Sequence, residues 1–487
     1  MGNRQSSMPV RRRHPSGSEI RSGFSSLKRI TGKNYYFENL VLEGNNVKSL
    51  AYVGALKVLD KVGILGKLKR FAGVGTSGVI ASLLAADFDC DTVQRLLNEH
   101  IDNLLFDNQC DVLAKDVMEK LGRNSGRKFL EWFGNILRIK FGNADITFSQ
   151  LYDQTGKELC IVVMNLSRRC EEYFHVKTTP DAVIRRAVLM TISFPGMFQP
   201  VKYHVDGQES YYLDGGIICN YPINCFDGWW LSMESKNNFV DQCCSAADIT
   251  TFYKGRFLGK NYATLGILLY DNSHYTEEYC IVKQQLNMAK ANSLIPNTKL
   301  GRQFKDASEI SMLQMDVFER FSDSNEQFCM LLDSLKDCDD AVEINTLAKV
   351  LSSNECLSAT EKEVLFGTAM ISEAECAEFL NKISNGNDML AVSDMENLLE
   401  SKNWALYSQC LCSEKIEITN HFCYWGVIAN VLHSGTSKVL KDNLDRTVGV
   451  YTGYIDNSTL HLEEADECYL IQQGWNCTVS YLRQLTM

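Results

Sequence analysis

Residues 70–86 read RFAGVGTSGVIASLLAA, and this stretch decides the fold. The run from Arg70 to Val74 predicts a β-strand, and the small apolar residues Val79 to Ala86 predict a buried helix. The turn between them is GTSG, residues 75–78. A serine on a tight strand-to-helix turn exposes its hydroxyl from a strained backbone, which is the arrangement of a hydrolase nucleophile. The pattern therefore predicts a strand–turn–helix unit with Ser77 as a candidate nucleophile.

A similar unit precedes it. Residues 36–42 predict a strand, and apolar residues spaced three apart over 48–59 predict a helix. The turn between them, EGNNVKS, can direct backbone N–H groups at a developing negative charge. Together with the N–H of the second turn, this predicts an oxyanion hole formed by Gly44, Asn45, Asn46 and Gly78. A polar helix cap is the alternative.

Asp214 ends a third element. It follows the β-prone residues Tyr211-Tyr212-Leu213 and precedes Gly215-Gly216, so a strand can deliver its carboxylate to the edge of a sheet. The alternative is an ordinary Asp-Gly turn.

A dinucleotide-binding site is a competing interpretation of the second turn. Residues 73–78 (GVGTSG) also fit a Gly-x-Gly-x-x-Gly pattern, with Asp89 or Asp91 as the ribose-binding acid. That acid should end a second apolar strand, whereas residues 87–91 follow directly on the helix. The acyl-hydrolase interpretation is therefore favoured.

Together, the three turns resemble the patatin-like phospholipase family. Its turns read Gly-Gly-Gly-x-Lys/Arg-Gly, Gly-x-Ser-x-Gly and Asp-Gly-Gly/Ala. The corresponding stretches here are residues 42–56, 75–79 and 214–216, and residues 183–201 (VIRRAVLMTISFPGMFQPV) look like its Ser-x-Pro-x-x-Phe-x-Pro turn. The resemblance covers roughly residues 36–290. It implies a three-layer α/β/α domain with a mainly parallel sheet.

The resemblance also implies a phospholipase A-type carboxylic ester hydrolase that acts on phospholipid or acylglycerol. Ser77 Oγ would attack the ester carbonyl, Asp214 would accept its proton, and water would release the fatty acid from an acyl-enzyme. A free aspartate has a pKa of about 3.9, so burial must raise the basicity of Asp214. No cofactor or metal ion is implied. The nearby His274 has no role in the family pattern.

The sequence departs from the family pattern at both glycine-rich turns. Asn45, Asn46 and Ser49 replace glycines of the first turn, and Val79 replaces the last glycine of the second. A β-branched side chain at residue 79 predicts crowding where backbones should approach closely. Two hypotheses follow: an active lipid acyl hydrolase, and a catalytically impaired lipid-binding or scaffold protein on the same fold.

The charge is distributed unevenly. Residues 1–33 carry eight Lys or Arg and one acid, or +7, so the remainder of a chain of net charge −11 carries −18. An acidic body argues against nucleic-acid binding. A basic, Ser- and Gly-rich tail predicts disorder and an anionic membrane surface as partner. Gly2, in Met-Gly-Asn-Arg-Gln-Ser, matches an N-myristoylation signal. The expected location is therefore cytoplasmic, at the periphery of membranes.

Composition predicts three regions: a basic tail (1–33), the α/β domain (34–291) and a mostly helical C-terminal region (292–487) with strand-like runs near 448–455. The last region contains no motif that indicates a reaction, and a protein partner is expected for it. The stretches beginning at Asp337 and Asn385 only faintly resemble calcium loops, so helix caps are expected there. The 18 cysteines show no zinc-like spacing with histidines.

Overall fold

The computed structural model describes residues 30–45, 47–98, 120–205, 207–246, 248–271, 294–353, 356–384, 386–399, 418, 421–436, 441–455, 459 and 462–486. Gly2, Asn46 and His274 lie outside these ranges. Contacts divide the chain into two compact units. The first combines the residues up to Thr298 with those from Ile418 onward, and the second is Lys299–Glu417.

A mixed sheet of eight strands forms the centre of the first unit. In chain order, the strands of the described residues are β1 (Asn39–Leu42), β2 (Arg70–Gly73), β3 (Gly122–Asn124), β4 (Glu158–Asn165), β5 (Cys170–Phe174), β6 (Gly196–Phe198), β7 (Val201–Val205), β8 (Gln208–Asp214), β9 (Thr264–Tyr270), β10 (Ala341–Glu343), β11 (Met389–Ala391) and β12 (Thr447–Tyr451). The order in the sheet is β12-β9-β1-β2-β4-β8-β7, and β5 also pairs with β4. From β12 to β4 the neighbours are parallel, whereas β5, β7 and β8 run antiparallel to theirs.

Helices flank this sheet. Those of the first unit are α1 (Leu50–Lys61), α2 (Thr76–Ala85), α3 (Cys90–Leu97), α4 (Arg127–Phe141), α5 (Phe148–Thr155), α6 (Ile184–Ile192), α7 (Phe239–Ser245) and α8 (Ile249–Gly255), and, after the second unit, α13 (His421–Thr436) and α14 (Glu464–Gln484). The predicted fold class, a mainly parallel sheet flanked by helices, is confirmed. None of the helices in the described residues combines the length and apolar composition needed to cross a bilayer.

Alternation along the strands directs side chains to both faces of the sheet. In β1, Leu40 and Leu42 join the core cluster that also contains residues of α1, α2 and α14. Val41 points the other way, into a second cluster covered by residues 219–231. This period of two is what a strand buried on both faces requires.

The helix after β2 begins earlier than predicted. Its expected start was Val79, whereas α2 begins at Thr76 with Gly75 immediately before it. Gly75 has φ 57° and ψ −134°, a conformation that favours glycine, and so it makes the whole turn by itself. Ser77 therefore lies inside the first helical turn instead of at the apex of a loop.

The C-terminal part of the chain returns to the first unit, so the predicted division at residue 291 is not the one observed. The predicted strand near 448–455 is present as β12, which pairs in parallel with β9. Helix α14 packs closely on α1: a Cβ on Gly54 would lie 1.8 Å from the Ile471 carbonyl oxygen, and one on Gly474 would lie 1.8 Å from that of Ala51. Only backbone-to-backbone contact fits there.

The second unit has a core of its own. Its helices are α9 (Lys299–Leu335), α10 (Ile344–Ser352), α11 (Ala359–Phe366) and α12 (Glu373–Ile383). Antiparallel pairing of β10 with β11 places Val342 opposite Leu390 in that core. The Asp337 carboxylate accepts hydrogen bonds from the backbone N–H groups of Asp339 and Ala341.

A buried ion pair lies at the start of α1 in the first unit. Lys48 Nζ lies 2.9 Å from Asp271 Oδ2, and the two side chains are 1% and 2% exposed. Lys48 belongs to the first glycine-rich turn and Asp271 directly follows β9, so this pair ties the turn to the neighbouring strand.

Candidate active site

The structure brings the three predicted turns together at one edge of the sheet. The first turn follows β1, the second follows β2, and the third begins where β8 ends at Asp214. Gly44 N donates to the Asn220 carbonyl oxygen at 2.9 Å, and Asn220 Nδ2 donates to the Gly44 carbonyl oxygen at 2.8 Å. Ser77 Oγ contacts the Leu42 carbonyl oxygen at 3.1 Å. The turns therefore form one site.

Ser77 does not contact Asp214 in this site. Its side chain is fully buried. Its Oγ accepts from Val74 N at 3.0 Å, and its proton is within reach of the carbonyl oxygens of Val74 (2.8 Å) and Leu42 (3.1 Å). Because all of these partners are backbone groups, the hydroxyl holds β2 and β1 against the helix. The predicted Ser77–Asp214 pair is therefore not formed. Ser77 lies two residues after Gly75, inside α2, and its hydroxyl faces the backbone of β1 and Val74.

Gly75 occupies the position that faces Asp214. It is partly exposed, and a Cβ built on it would lie 4.0 Å from Asp214 Oδ1 and 3.9 Å from the Thr191 carbonyl oxygen. No heavy atom comes closer, so a small side chain at residue 75 would fit and point toward the carboxylate. Gly75 N donates to Thr191 Oγ1 at 2.9 Å, which fixes the turn. The residue of this turn that faces Asp214 is therefore a glycine, which has no side chain.

Asp214 is buried and engaged on both carboxylate oxygens. Oδ1 accepts from Gly216 N at 2.8 Å, and Oδ2 lies 3.1 Å from Nε2 of His433 on α13. Asp214 N donates to the Ser193 carbonyl oxygen at 3.0 Å. The burial expected of this aspartate is present, but its partners are a backbone amide and a histidine.

Two of the backbone N–H groups predicted to form the oxyanion hole already donate to other carbonyl oxygens. Gly44 N is used by the Asn220 carbonyl oxygen, and Gly78 N donates to the Gly75 carbonyl oxygen at 3.0 Å within the first turn of α2. Asn45 is buried, with its side-chain amide on Glu43 Oε2 at 2.9 Å. Asn46 lies outside the described residues. The donors at Gly44 and Gly78 already have acceptors, so neither points at a reacting carbonyl.

Val79 does not crowd the turn. Its side chain lies in the core cluster of the helical face. The close approach occurs instead at Gly73, where a Cβ would lie 2.4 Å from the Ser77 carbonyl oxygen. The predicted crowding at Val79 is therefore wrong, because the helix begins before it.

Cys219 is not suited to act as a nucleophile in this site. Cys219 is close to the third turn, since its N–H donates to the Gly215 carbonyl oxygen. Burial, reinforced by the negative charge of Glu171, raises the pKa of this thiol to about 12. A thiol with such a pKa is protonated near neutrality and is a poor nucleophile.

Comparison with known proteins identifies the fold. A family model described as Patatin-like phospholipase matches residues 40–227. The match covers less than half of the chain. Patatin-like residues 40–227 contain all three turns of the site. The site therefore lies within the part of the chain that is similar to patatin-like phospholipases.

Two relatives and one solved structure are similar to the chain. The chain is 29% identical over 192 residues to the probable lipid hydrolase 463L of Invertebrate iridescent virus 6, covering 39% of this chain and 64% of that protein. It is 33% identical over 192 residues to the uncharacterized protein R571 of Acanthamoeba polyphaga mimivirus, covering 39% of this chain and 61% of the relative. The chain thus spans less than two thirds of either relative. VipD from Legionella pneumophila aligns with a TM-score of 0.40 at 13% identity, covering 92% of this chain and 67% of VipD.

Two residues of the patatin-like site were missed from the sequence. Gly75 could have been found by starting the motif two residues earlier: Gly73-x-Gly75-x-Ser77 keeps the spacing, with glycine and serine exchanged at its third and fifth positions. His433 had no such signal. It lies 219 residues beyond Asp214 and outside any recognised motif.

Proposed function

We propose that this patatin-like chain acts by binding lipid and not by turning it over through a serine acyl-enzyme. The observation that supports this is the glycine at residue 75. The residue that faces Asp214 has no side chain, and so it offers no atom to attack an ester carbonyl.

Ser77 is a poor substitute for the missing nucleophile. To reach a substrate, its hydroxyl would leave the Val74 amide and two carbonyl oxygens while remaining in the first turn of α2. Leaving a buried polar group without a partner costs about 1–3 kcal/mol. An ester carbonyl must also approach the attacking atom closely, and Ser77 is inaccessible.

The second candidate is hydrolysis by Ser77 and Asp214, as a phospholipase A-type enzyme acting on the fatty-acyl esters of phospholipids or acylglycerols. The family match and the retained Asp214 favour it. The relative named probable lipid hydrolase also favours it. It requires the second turn to rearrange so that Ser77 Oγ reaches Asp214.

Fatty-acid release from phosphatidylcholine vesicles decides between the two. We expect wild type, Ser77→Ala and Asp214→Ala to release fatty acid at the same basal rate, while wild type still co-sediments with the vesicles. Thermal melting of each variant controls for loss of the fold. A wild-type rate at least about tenfold above both variants would establish the dyad, since removing a group that acts in the transition state costs at least that much.

Membrane attachment through the N-terminal tail is a separate proposal. Gly2 and the Arg11-Arg12-Arg13 cluster supply one acyl chain and one electrostatic signal, the pair that stable anchoring needs. We expect Gly2→Ala to move most of the protein from the membrane fraction to the supernatant in cells. Gly17→Ala, in the same tail, serves as the control and should leave the distribution unchanged. Equal distributions of wild type and Gly2→Ala would contradict the anchor.

A further inference from the structure

Helix α13 lies over the patatin-like site and contacts it at three points. Trp425, near its start, packs on the turn after α6. His433, near its end, bonds Asp214, and Thr436, its last residue, donates to the Gly216 carbonyl oxygen. One helix therefore contacts the catalytic-type aspartate and the two turns beside it.

The His433 side chain packs tightly against the site. Its ring is buried, with Nε2 3.1 Å from Asp214 Oδ2, and it meets the ring of Phe194 edge-on at a centroid separation of 5.6 Å. A Cβ on Gly216 would lie 2.8 Å from Nε2, so the imidazole rests directly on the glycine backbone. An imidazole thus fills the space beside Asp214.

The contact at Trp425 uses a second glycine. Gly196 has φ 80°, and a Cβ built on it would lie 2.4 to 2.7 Å from atoms of the indole ring. The Trp425 ring therefore covers the backbone of the turn that follows α6. Large aromatic surfaces of this kind contribute much of the stability of a packed contact.

The helix itself is poorly suited to remain folded alone. Its sequence HFCYWGVIANVLHSGT contains no Asp, Glu, Lys or Arg, and it includes Gly426 and Gly435. Each glycine costs a helix about 1 kcal/mol relative to alanine. Its stability therefore depends on the contacts with the site. On its outer side, Tyr424, Val431 and Leu432 are 46%, 67% and 40% exposed.

We propose that α13 is a removable cover of the patatin-like site, held by His433 and displaced when its uncharged, apolar outer side enters a lipid surface. A neutral helix with exposed aromatic and aliphatic side chains is suited to the boundary between headgroups and acyl chains. Displacement would free Asp214 and expose the turns at Gly196 and Gly216. In taking lipid as the displacing ligand, this mechanism rests on the proposed function.

Hydrogen–deuterium exchange of the full chain tests the cover. We expect His433→Ala to speed amide exchange of residues 421–436 by about tenfold, the effect of losing one hydrogen bond to a charged partner. His204→Ala is the matched control, because His204 lies at the surface 3.9 Å from Glu209. His433→Gln, which can still donate to Asp214, should restore slow exchange. Equal exchange in His433→Ala and His204→Ala would overturn the cover, provided that thermal melting shows both variants folded.

Vesicles of phosphatidylcholine with brominated acyl chains test the lipid part. Bromine quenches tryptophan at short range, and the difference between wild type and Trp425→Phe isolates the Trp425 signal. We expect that signal to be quenched, and more strongly in His433→Ala. Faster exchange in His433→Ala without quenching would overturn lipid as the displacing ligand while leaving the cover in place. If neither wild type nor His433→Ala co-sediments with the vesicles, the proposed lipid binding itself is contradicted.

Discussion

Replacing Gly75 by serine should give this chain a measurable lipid ester hydrolase activity. A Cβ at residue 75 lies 4.0 Å from Asp214 Oδ1, and the hydroxyl one bond further out is within hydrogen-bond reach of that carboxylate. We expect fatty-acid release from phosphatidylcholine vesicles to rise at least about 10²-fold above wild type, because a complete nucleophile–base pair is worth more than that even beside a weakened oxyanion hole.

Stability limits this gain. A serine at φ 57° and ψ −134° costs about 1–3 kcal/mol of backbone strain, as such positions do at functional turns. Gly75→Ala carries the same strain without the hydroxyl and is the matched control. Gly75→Ser combined with Asp214→Asn should lose the new activity. If Gly75→Ser were folded and no faster than Gly75→Ala, residue 75 would not be the nucleophile position.

Replacing Lys48 by methionine should lower the free energy of unfolding by about 3–5 kcal/mol. Lys48 and Asp271 form an ion pair that is almost completely buried, and removing one partner leaves the other charge in a site of low polarity. Urea denaturation followed by tryptophan fluorescence measures the change. We expect the first unit, which contains both residues, to account for it.

The control is a second lysine in the same unit. Lys69 pairs with Glu38 at 2.6 Å, but both side chains are largely exposed. Solvent screening leaves such a pair worth less than about 1 kcal/mol, so Lys69→Met should be nearly neutral. Combining Lys48→Met with Asp271→Asn should recover part of the loss, since the stranded charge is removed. A loss in Lys48→Met no larger than in Lys69→Met would show that the buried pair is not stabilising.

Local sequence patterns predicted the strands and helices around the site, but not which residue of the second turn faces Asp214. The strands at β1 and β2, the helices after them and the position of Asp214 all follow from periodicity and turn composition. These patterns do not decide whether Gly75 or Ser77 faces Asp214. Both Gly75-x-Ser77 and Gly73-x-Gly75 fit a turn rich in small residues. The close approach of Gly73 to the Ser77 backbone decides it, and that contact exists only in three dimensions.

The pairing of β12 and the contact of His433 with Asp214 could not be predicted, because both join residues that are far apart in the sequence. The strand at β12 was predicted as a strand, but its partner β9 lies about 180 residues earlier in the chain, and pairing at that range is not encoded in local pattern. His433 reaches Asp214 by the same return of the chain. Both belong to the stretch that composition alone assigned to a separate C-terminal region.

The return of the chain through β12 makes the second unit an insertion within the first. During synthesis, the edge of β9 and the face of α1 at Gly54 stay uncovered until β12 and α14 emerge. The patatin-like unit therefore completes its fold only after the second unit has been synthesised. A fragment cut at the end of the family match would lack both the closing strand and the helix that Gly54 and Gly474 bring into contact, so the natural boundary of this unit is discontinuous in sequence.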